Sequence, residues 1–344
     1  CIVRPIVLYK RKAIESPLKL YKTVHFYYNK KTMNNLHETG KKIRALPNFM
    51  GTVEYDKALA PLTSFKIGGT AALFIEAQNE DSLLAALHIL HNNGIAWFVL
   101  GGGSNLVISE SGFHCAVLRL QKINFIHAQS GQLCVGAGAR WGTVLHTCYK
   151  ECIAGLEAFA GLPGTVGGAA YMNASCFGRS ISDVLVSARY INADDLTVHT
   201  YTMNQAEWAY KTSPFAQHNC IITQLVLAGI QHERTQECAE HIRALCKKNI
   251  DARKEKGHFR FPCAGSVFKN NPAYGAPTGK LIDDAGLKGL QCGGAQIAPW
   301  HGNIIINTGT ATACDVQSLV AAAKAAVQEK YGFVLEEEII FCGN

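Results

Sequence analysis

Three consecutive glycines, Gly101-Gly102-Gly103, run into Ser104 and Asn105 between two apolar stretches at 96–100 and 106–108. Without Cβ atoms, such a run lets successive backbone N–H groups close on a ligand, and a concave row of amides suits a pyrophosphate. A mobile surface turn is the plain alternative. A second glycine-rich run spans 160–170 and holds Gly161, Gly164, Thr165, Gly167 and Gly168. A third, Gly136-x-Gly138-x-x-x-Gly142, imitates a dinucleotide fingerprint, with a strand pattern before it and a helical one after. Its last glycine is displaced by one. Glu157, at the distance where a ribose-binding acid belongs, precedes glycines instead of ending a strand. The 101–105 run is no such fingerprint either, because a β-like segment follows it where a helix should present its positive end.

Metal chemistry has little to rest on. None of the thirteen cysteines forms a C-x-x-C pair; Cys148 and Cys152 come nearest. His88 and His91 share a helix without nearby carboxylates, and no H-E-x-x-H occurs. Scattered single cysteines fit buried thiols in a reducing compartment, so a cytoplasmic location is expected. The stretch 153–176 is broken by Glu157, Pro163 and glycines, and no membrane span is expected. The net charge of +7 points toward nucleic acid until it is located: residues 1–50 carry eleven Lys or Arg against Glu15 and Glu38. The other 294 residues balance at −2, without an interleaved aromatic and basic pattern, so a nucleic-acid partner is not expected. The chain opens on Cys1 and its first methionine is Met33. Initiation near Met33 is the expectation, with residues 1–32 dispensable and 1–50 a basic, disordered or non-native extension.

The elements that must hold these loops can be read from periodicity. A helix is predicted from an Asn79 N-cap to a Gly94 stop, with Leu83, Leu84, Leu87 and Leu90 on one face. Strands are predicted at 96–100, 106–108 and 133–137, a helix over 141–153, and β-rich segments at 184–201 and 220–230. A long helix over 235–254, carrying Ile242, Leu245, Cys246 and Asn249 on one side, reads as the bridge into a last domain. That domain holds a strand at 304–307, a helix over 312–331 striped by Val316, Leu319, Val320, Ala323 and Val327, and a closing strand at 335–341. Strands and helices do not alternate strictly, so the class is α+β with several mixed sheets. The expected division is 1–50, 51–234 and 235–344.

In order along the chain, the glycine segments resemble those of the UDP-N-acetylenolpyruvoylglucosamine reductase family over roughly 280 residues. Leu62-Thr63-Ser64-Phe65-Lys66-Ile67-Gly68-Gly69 looks like its N-T-x-x-x-G-G opening. The run 101–106 and the run 160–178, with Tyr171-Met172-Asn173-Ala174, are similar to its FAD-contacting segments. The resemblance implies a flavin domain of two α+β subdomains, of the vanillyl-alcohol-oxidase (PCMH) type, and a C-terminal α+β substrate domain. It implies noncovalent FAD, contacted by Gly101, Gly102, Gly103, Ser104, Asn105, Gly161, Gly164, Thr165, Gly167, Gly168 and Asn173. It also implies NADPH as reductant, a nucleotide-sugar substrate in peptidoglycan synthesis, and a monomer.

The same resemblance supplies the chemistry. Ala264-Gly265-Ser266-Val267-Phe268-Lys269-Asn270 is similar to the family's A-G-S-x-F-K-N, whose serine protonates the substrate; standing alone it is an ordinary strand start. Leu335-Glu336-Glu337-Glu338-Ile339 resembles L-E-P-E-V and implies Glu338 as the catalytic glutamate, where three glutamates in a row otherwise read as a solvated cluster. Tyr210-Lys211-Thr212-Ser213-Pro214-Phe215 resembles Y-R-x-S-x-F, with Lys211 in the place of a catalytic arginine. Tyr210, Lys269 and Asn270 are implied as substrate contacts. Hydride addition to an enolpyruvyl ether puts negative charge on the adjacent carboxylate as an enolate, which a cation such as Lys211 stabilises. The enolate carbon then needs a proton from a weak acid, the role of Ser266, polarised by Lys269 and Glu338.

The chain departs from the family at three places: Lys211 is a point charge instead of a planar fork, Gly257-His258 stands for Gln-Pro, and Ile340 for a basic residue. The 55 residues between Tyr210 and Ser266 resemble the shorter type, without a tyrosine-bearing extra loop. Another FAD-dependent oxidoreductase of the same superfamily is the alternative reading.

Overall fold

The computed structural model describes residues 30–343, so the expectations for 1–29, and with them most of the proposed dispensable segment, lie outside the described residues. The first unit is a four-stranded sheet ordered Gly51–Ala58, Thr70–Ala77, Phe113–Arg119, Trp97–Leu100, antiparallel at its first pairing and parallel at the other two. Helix Glu80–Asn92 packs Leu83, Leu87 and Leu90 beneath it. The Asn79 side chain accepts from Ser82 N, and Gly94 takes φ +64°, so both predicted helix ends are found.

A five-stranded antiparallel sheet forms the second unit, ordered Val198–Thr202, Leu185–Asn192, Cys220–Ala228, Gln132–Gly136, Ile126–Gln129. Helix Trp141–Glu151 covers it, with Trp141 stacked on Phe159 at 4.4 Å between ring centroids. The dinucleotide-like glycines belong to packing here. A Cβ at Gly136 would lie 2.3 Å from Ile123 O, and one at Gly138 2.0 Å from Leu120 O, so both are needed to admit the 120–124 connection.

The third unit is a four-stranded antiparallel sheet ordered Cys263–Ser266, Ile304–Asn307, Ala295–Ile297, Gln291–Cys292. It is backed by helices Thr278–Asp284 and Ala313–Tyr331. The long helix begins at a Thr312–Asp315 capping box, buries its predicted apolar stripe and ends at left-handed Gly332.

Three expectations about boundaries change. Helix Lys30–Arg44 is folded onto the first unit, with Leu36 and Ile43 buried in its core, so the basic extension is not disordered up to residue 50. The periodicity was masked by its many lysines, which leave only two apolar anchors. Helix Gln236–Glu255 puts Ile242 and Cys246 into the core of the second unit, while Leu245 is exposed. By packing it belongs with the second unit. The closing strand is only Ile340–Cys342, and it leaves the third unit to pair in parallel with Leu106–Ile108 of the first.

Ile43→Ala removes a fully buried side chain from the junction of helix Lys30–Arg44 with its sheet. It should lower unfolding free energy by about 2–5 kcal/mol in urea titration. A change near zero would mean this helix is not part of the folded body.

Candidate active site

The two glycine runs meet backbone to backbone. A Cβ on Gly102 would lie 2.3 Å from Gly164 Cα, and one on Gly164 2.6 Å from Ser104 Oγ. Only glycine at these positions lets the loops close. Gly103 takes φ +61° and Gly164 φ +95°, conformations that side chains resist. Among the described residues none of the backbone N–H groups of Gly101, Gly102, Gly103, Ser104 and Asn105 donates a hydrogen bond. Five consecutive amides, partly buried and unspent, form a nest for an anion. Thr165 caps the short helix Val166–Tyr171, its hydroxyl accepting from Gly168 N at 3.3 Å, while Gly167 N donates to Ala137 O. A Cβ at Gly167 would lie 2.6 Å from Ala137 Cβ, so glycine is needed there for the helix to seat against the 137–139 segment.

The other half of the site is built around Glu338. Its backbone N–H donates to Val267 O at 2.8 Å, beside Ser266, and its carbonyl accepts from Asn105 Nδ2 at 2.8 Å. Ile340 N donates to Asn105 O at 3.0 Å. The carboxylate meets Lys211 Nζ at 2.5 Å, with only 11% and 13% of the two side chains exposed. Lys211 comes from a tight turn in which Ala209 and Thr212 pair and Lys211 itself is left-handed at φ +57°. That conformation costs a non-glycine residue roughly 1–2 kcal/mol. It is held by Asn173 Nδ2 donating to Ala209 O at 2.8 Å and by Ser213 Oγ donating to Tyr171 O at 2.7 Å.

Sequence and structure can now be compared residue by residue. Lys211, Ser266 and Glu338 are brought together from three distant parts of the chain, and the Ser266 hydroxyl makes no hydrogen bond with the described residues. Asn173 needs correction as a cofactor contact. Its side chain is buried, its amide nitrogen goes to Ala209 and its oxygen accepts from Ser182 N, so it positions the Lys211 turn. Lys269 Nζ pairs with Glu336 at 2.5 Å. The glutamate row is not a solvated cluster: Glu336, Glu337 and Glu338 pair separately with Lys269, Lys324 and Lys211. Tyr210 and Asn270 adjoin, Asn270 N donating to the Tyr210 hydroxyl at 3.3 Å, and Asn270 Oδ1 accepts from Thr278 N. No group of metal-ligating side chains occurs among the described residues. No helix among them is long and apolar enough to cross a membrane.

A glycine cradle for a diphosphate, in a body of two α+β units that a separate domain overhangs, defines a flavoprotein oxidoreductase with a domain for its substrate. The FAD binding domain family matches residues 71–201, and the C-terminal domain of UDP-N-acetylenolpyruvoylglucosamine reductase matches 257–342. A UDP-N-acetylenolpyruvoylglucosamine reductase of Treponema denticola is 43% identical over 91% of this chain and 99% of its own. One from Borrelia garinii is 33% identical over 91% and 97%. The crystal structure of the reductase MurB from Thermus caldophilus superposes with a TM-score of 0.68 at 29% identity, over 86% of this chain and 99% of that one. The chain belongs to the UDP-N-acetylenolpyruvoylglucosamine reductase family. Its cofactor is FAD, and the unspent amides of 101–105 with the glycine contact at 102 and 164 fit the cofactor's diphosphate.

Gly102→Ala should force the two glycine runs apart, lowering both FAD content and thermal midpoint. Gly142→Ala, whose added Cβ meets nothing within 4 Å, should leave FAD content unchanged. The flavin to protein absorbance ratio after gel filtration measures this, and equal ratios for both variants would exclude the contact as the cradle.

Proposed function

We propose that Lys211, Ser266 and Glu338 carry out the NADPH-dependent reduction of UDP-N-acetylglucosamine enolpyruvate to UDP-N-acetylmuramate. The observation that carries this reading is the nearly buried Lys211–Glu338 pair set against the Ser266 strand. FAD, when bound, supplies hydride chemistry, accepting from the nicotinamide and passing on to the substrate. The chain's own residues supply the rest. The Lys211 ammonium faces the substrate carboxylate and lowers the energy of the enolate that hydride addition creates there. Ser266 Oγ, free of protein partners, gives its proton to the enolate carbon. Glu338 fixes the ammonium through its carboxylate, and its role in this reading is to return a proton to the serine.

Tyr210 and Asn270, bonded to each other across the boundary between second and third units, line the approach for the nucleotide sugar. Twelve free cysteines among the described residues agree with a reducing compartment, which favours the cytoplasm. That placement suits an enzyme feeding wall growth and division.

Ser266→Ala removes the proton donor and leaves the glycine cradle intact. NADPH should still bleach the flavin at near wild-type rate in stopped-flow, while reoxidation by the enolpyruvyl substrate slows by about 10²–10⁴-fold. Slowed bleaching with normal reoxidation would move Ser266 to the nicotinamide site and defeat the mechanism. Lys211→Met should raise KM for the substrate and lower kcat together, with Lys211→Arg recovering part of both.

A further inference from the structure

Arg253, near the end of helix Gln236–Glu255, is the most buried cation of the described residues, 9% exposed, and only part of its guanidinium is used. Nε donates to Ala160 O at 2.9 Å, but a second nitrogen, Nη2, is sealed from solvent without any hydrogen-bond partner. Leaving a buried charged donor unmade is expensive, so such an atom calls for an absent acceptor. The acid two residues away does not help: Asp251 pairs with Lys247 and Lys254. His258 is pushed down to about 4 by burial and then by the charges of Arg253, His301 and Lys256, so positive charge gathers at this corner.

The covering group is equally unusual. Strands Ser175–Cys176 and Arg179–Ser180 form a hairpin whose two-residue turn is Phe177-Gly178, both at positive φ, +49° and +77°. That turn type favours Asn-Gly, and phenylalanine is a poor occupant of its first position. Phe177 is nonetheless held there, 43% exposed, with its ring centroid 5.2 Å from Arg253 Cζ and 5.9 Å from Lys256 Nζ. Strain kept to display an aromatic ring over a buried arginine is an outlier that asks for a role. The neighbouring segment is the glycine run: a Cβ at Gly161 would lie 3.0 Å from Arg253 Cδ and 3.4 Å from Phe259, and Gly164 of the cradle is three residues on.

The geometry points to a second anion subsite, in which Arg253 Nη2 takes a diphosphate oxygen and the Phe177 hairpin is the movable cover that closes over the nucleotide. The ligand is a nucleoside diphosphate group, and two sources offer it: the flavin cofactor and the nucleotide-sugar substrate. The assignment of the second source rests on the proposed function. The first rests only on the FAD domain.

Two substitutions and two probes test this with the holoenzyme and its FAD-stripped form. Arg253→Lys keeps a charge but not the Nη2 geometry, and Phe177→Asn suits the turn better than phenylalanine does. FAD affinity is read by flavin fluorescence quenching on the stripped protein, and UDP affinity by the flavin difference spectrum of the holoenzyme. Arg253→Lys should weaken one of the two by about 10–100-fold, as for a lost charged hydrogen bond. Phe177→Asn should weaken the same one while holding or raising the thermal midpoint, which a merely structural phenylalanine would not do. Loss confined to FAD assigns the subsite to the cofactor, and loss confined to UDP assigns it to the substrate. Unchanged affinity for both in both variants overturns the proposal. Wild-type protein that fails to bind UDP but binds FAD would instead count against the proposed reaction.

Discussion

Glu338 is the point at which the three folded units are tied to one another, and most of the site's geometry follows from that tie. Its backbone is clamped from two sides, by Val267 of the third unit and by Asn105 of the first, and its side chain reaches Lys211 of the second. Three bonds from one residue thus set the distance between the glycine loop, the strand of Ser266 and the turn of Lys211. The adjacent strand Ile340–Cys342 continues the tie by pairing with Leu106–Ile108 directly after the glycine run. A nearly buried ion pair contributes little net stability once desolvation is counted, but breaking it by removing one partner is costly. Such a contact is better understood as fixing register than as holding the protein folded.

The glycine cradle obeys a different constraint, steric instead of electrostatic. Two backbones that approach until a Cβ would sit 2.3 Å from a neighbouring Cα leave no freedom in residue choice. The reward is a set of amides that neither sheet nor helix consumes. In an ordinary loop these donors would bond to water or to the chain. Here the strand ends at Leu100, resumes at Leu106, and leaves the five donors between them for a ligand.

Much of this was legible in the sequence, for reasons that differ by element. Helix Glu80–Asn92 and helix Ala313–Tyr331 carry caps and apolar stripes that owe nothing to distant partners, and both were read to within a residue or two. The residues proposed for the chemistry were legible only through resemblance, because a serine opening a strand or a glutamate in an acidic row has no local signature. What escaped depended on tertiary contact. Asn173 sits in a motif of cofactor contacts, yet its amide is spent on Ala209 and Ser182, which no local pattern encodes. The pairing of Lys269 with Glu336, 67 residues on, likewise has no local signature. Helix Lys30–Arg44 hid Leu36 and Ile43, its buried apolar side chains among the described residues, between lysines and polar residues. Arg253 gave no signal at all, since a basic residue in the last turn of a helix is what the helix dipole alone would favour.

The replacement of a family arginine by Lys211 fits the way the pair is built. A guanidinium laid flat against Glu338 would commit two donors in a fixed plane to one carboxylate. An ammonium 2.5 Å from Glu338 Oε1 uses one of its three donors and leaves two, set in tetrahedral directions by the first, for other acceptors. Lysine can therefore bridge Glu338 and a second anion without giving up the first, provided its backbone is held still. The left-handed turn at Lys211, braced by Asn173 and Ser213, provides that rigidity close to the charge. The planar preorganisation lost with arginine is thus replaced in a strained backbone, and the residues that brace it decide where the charge stands.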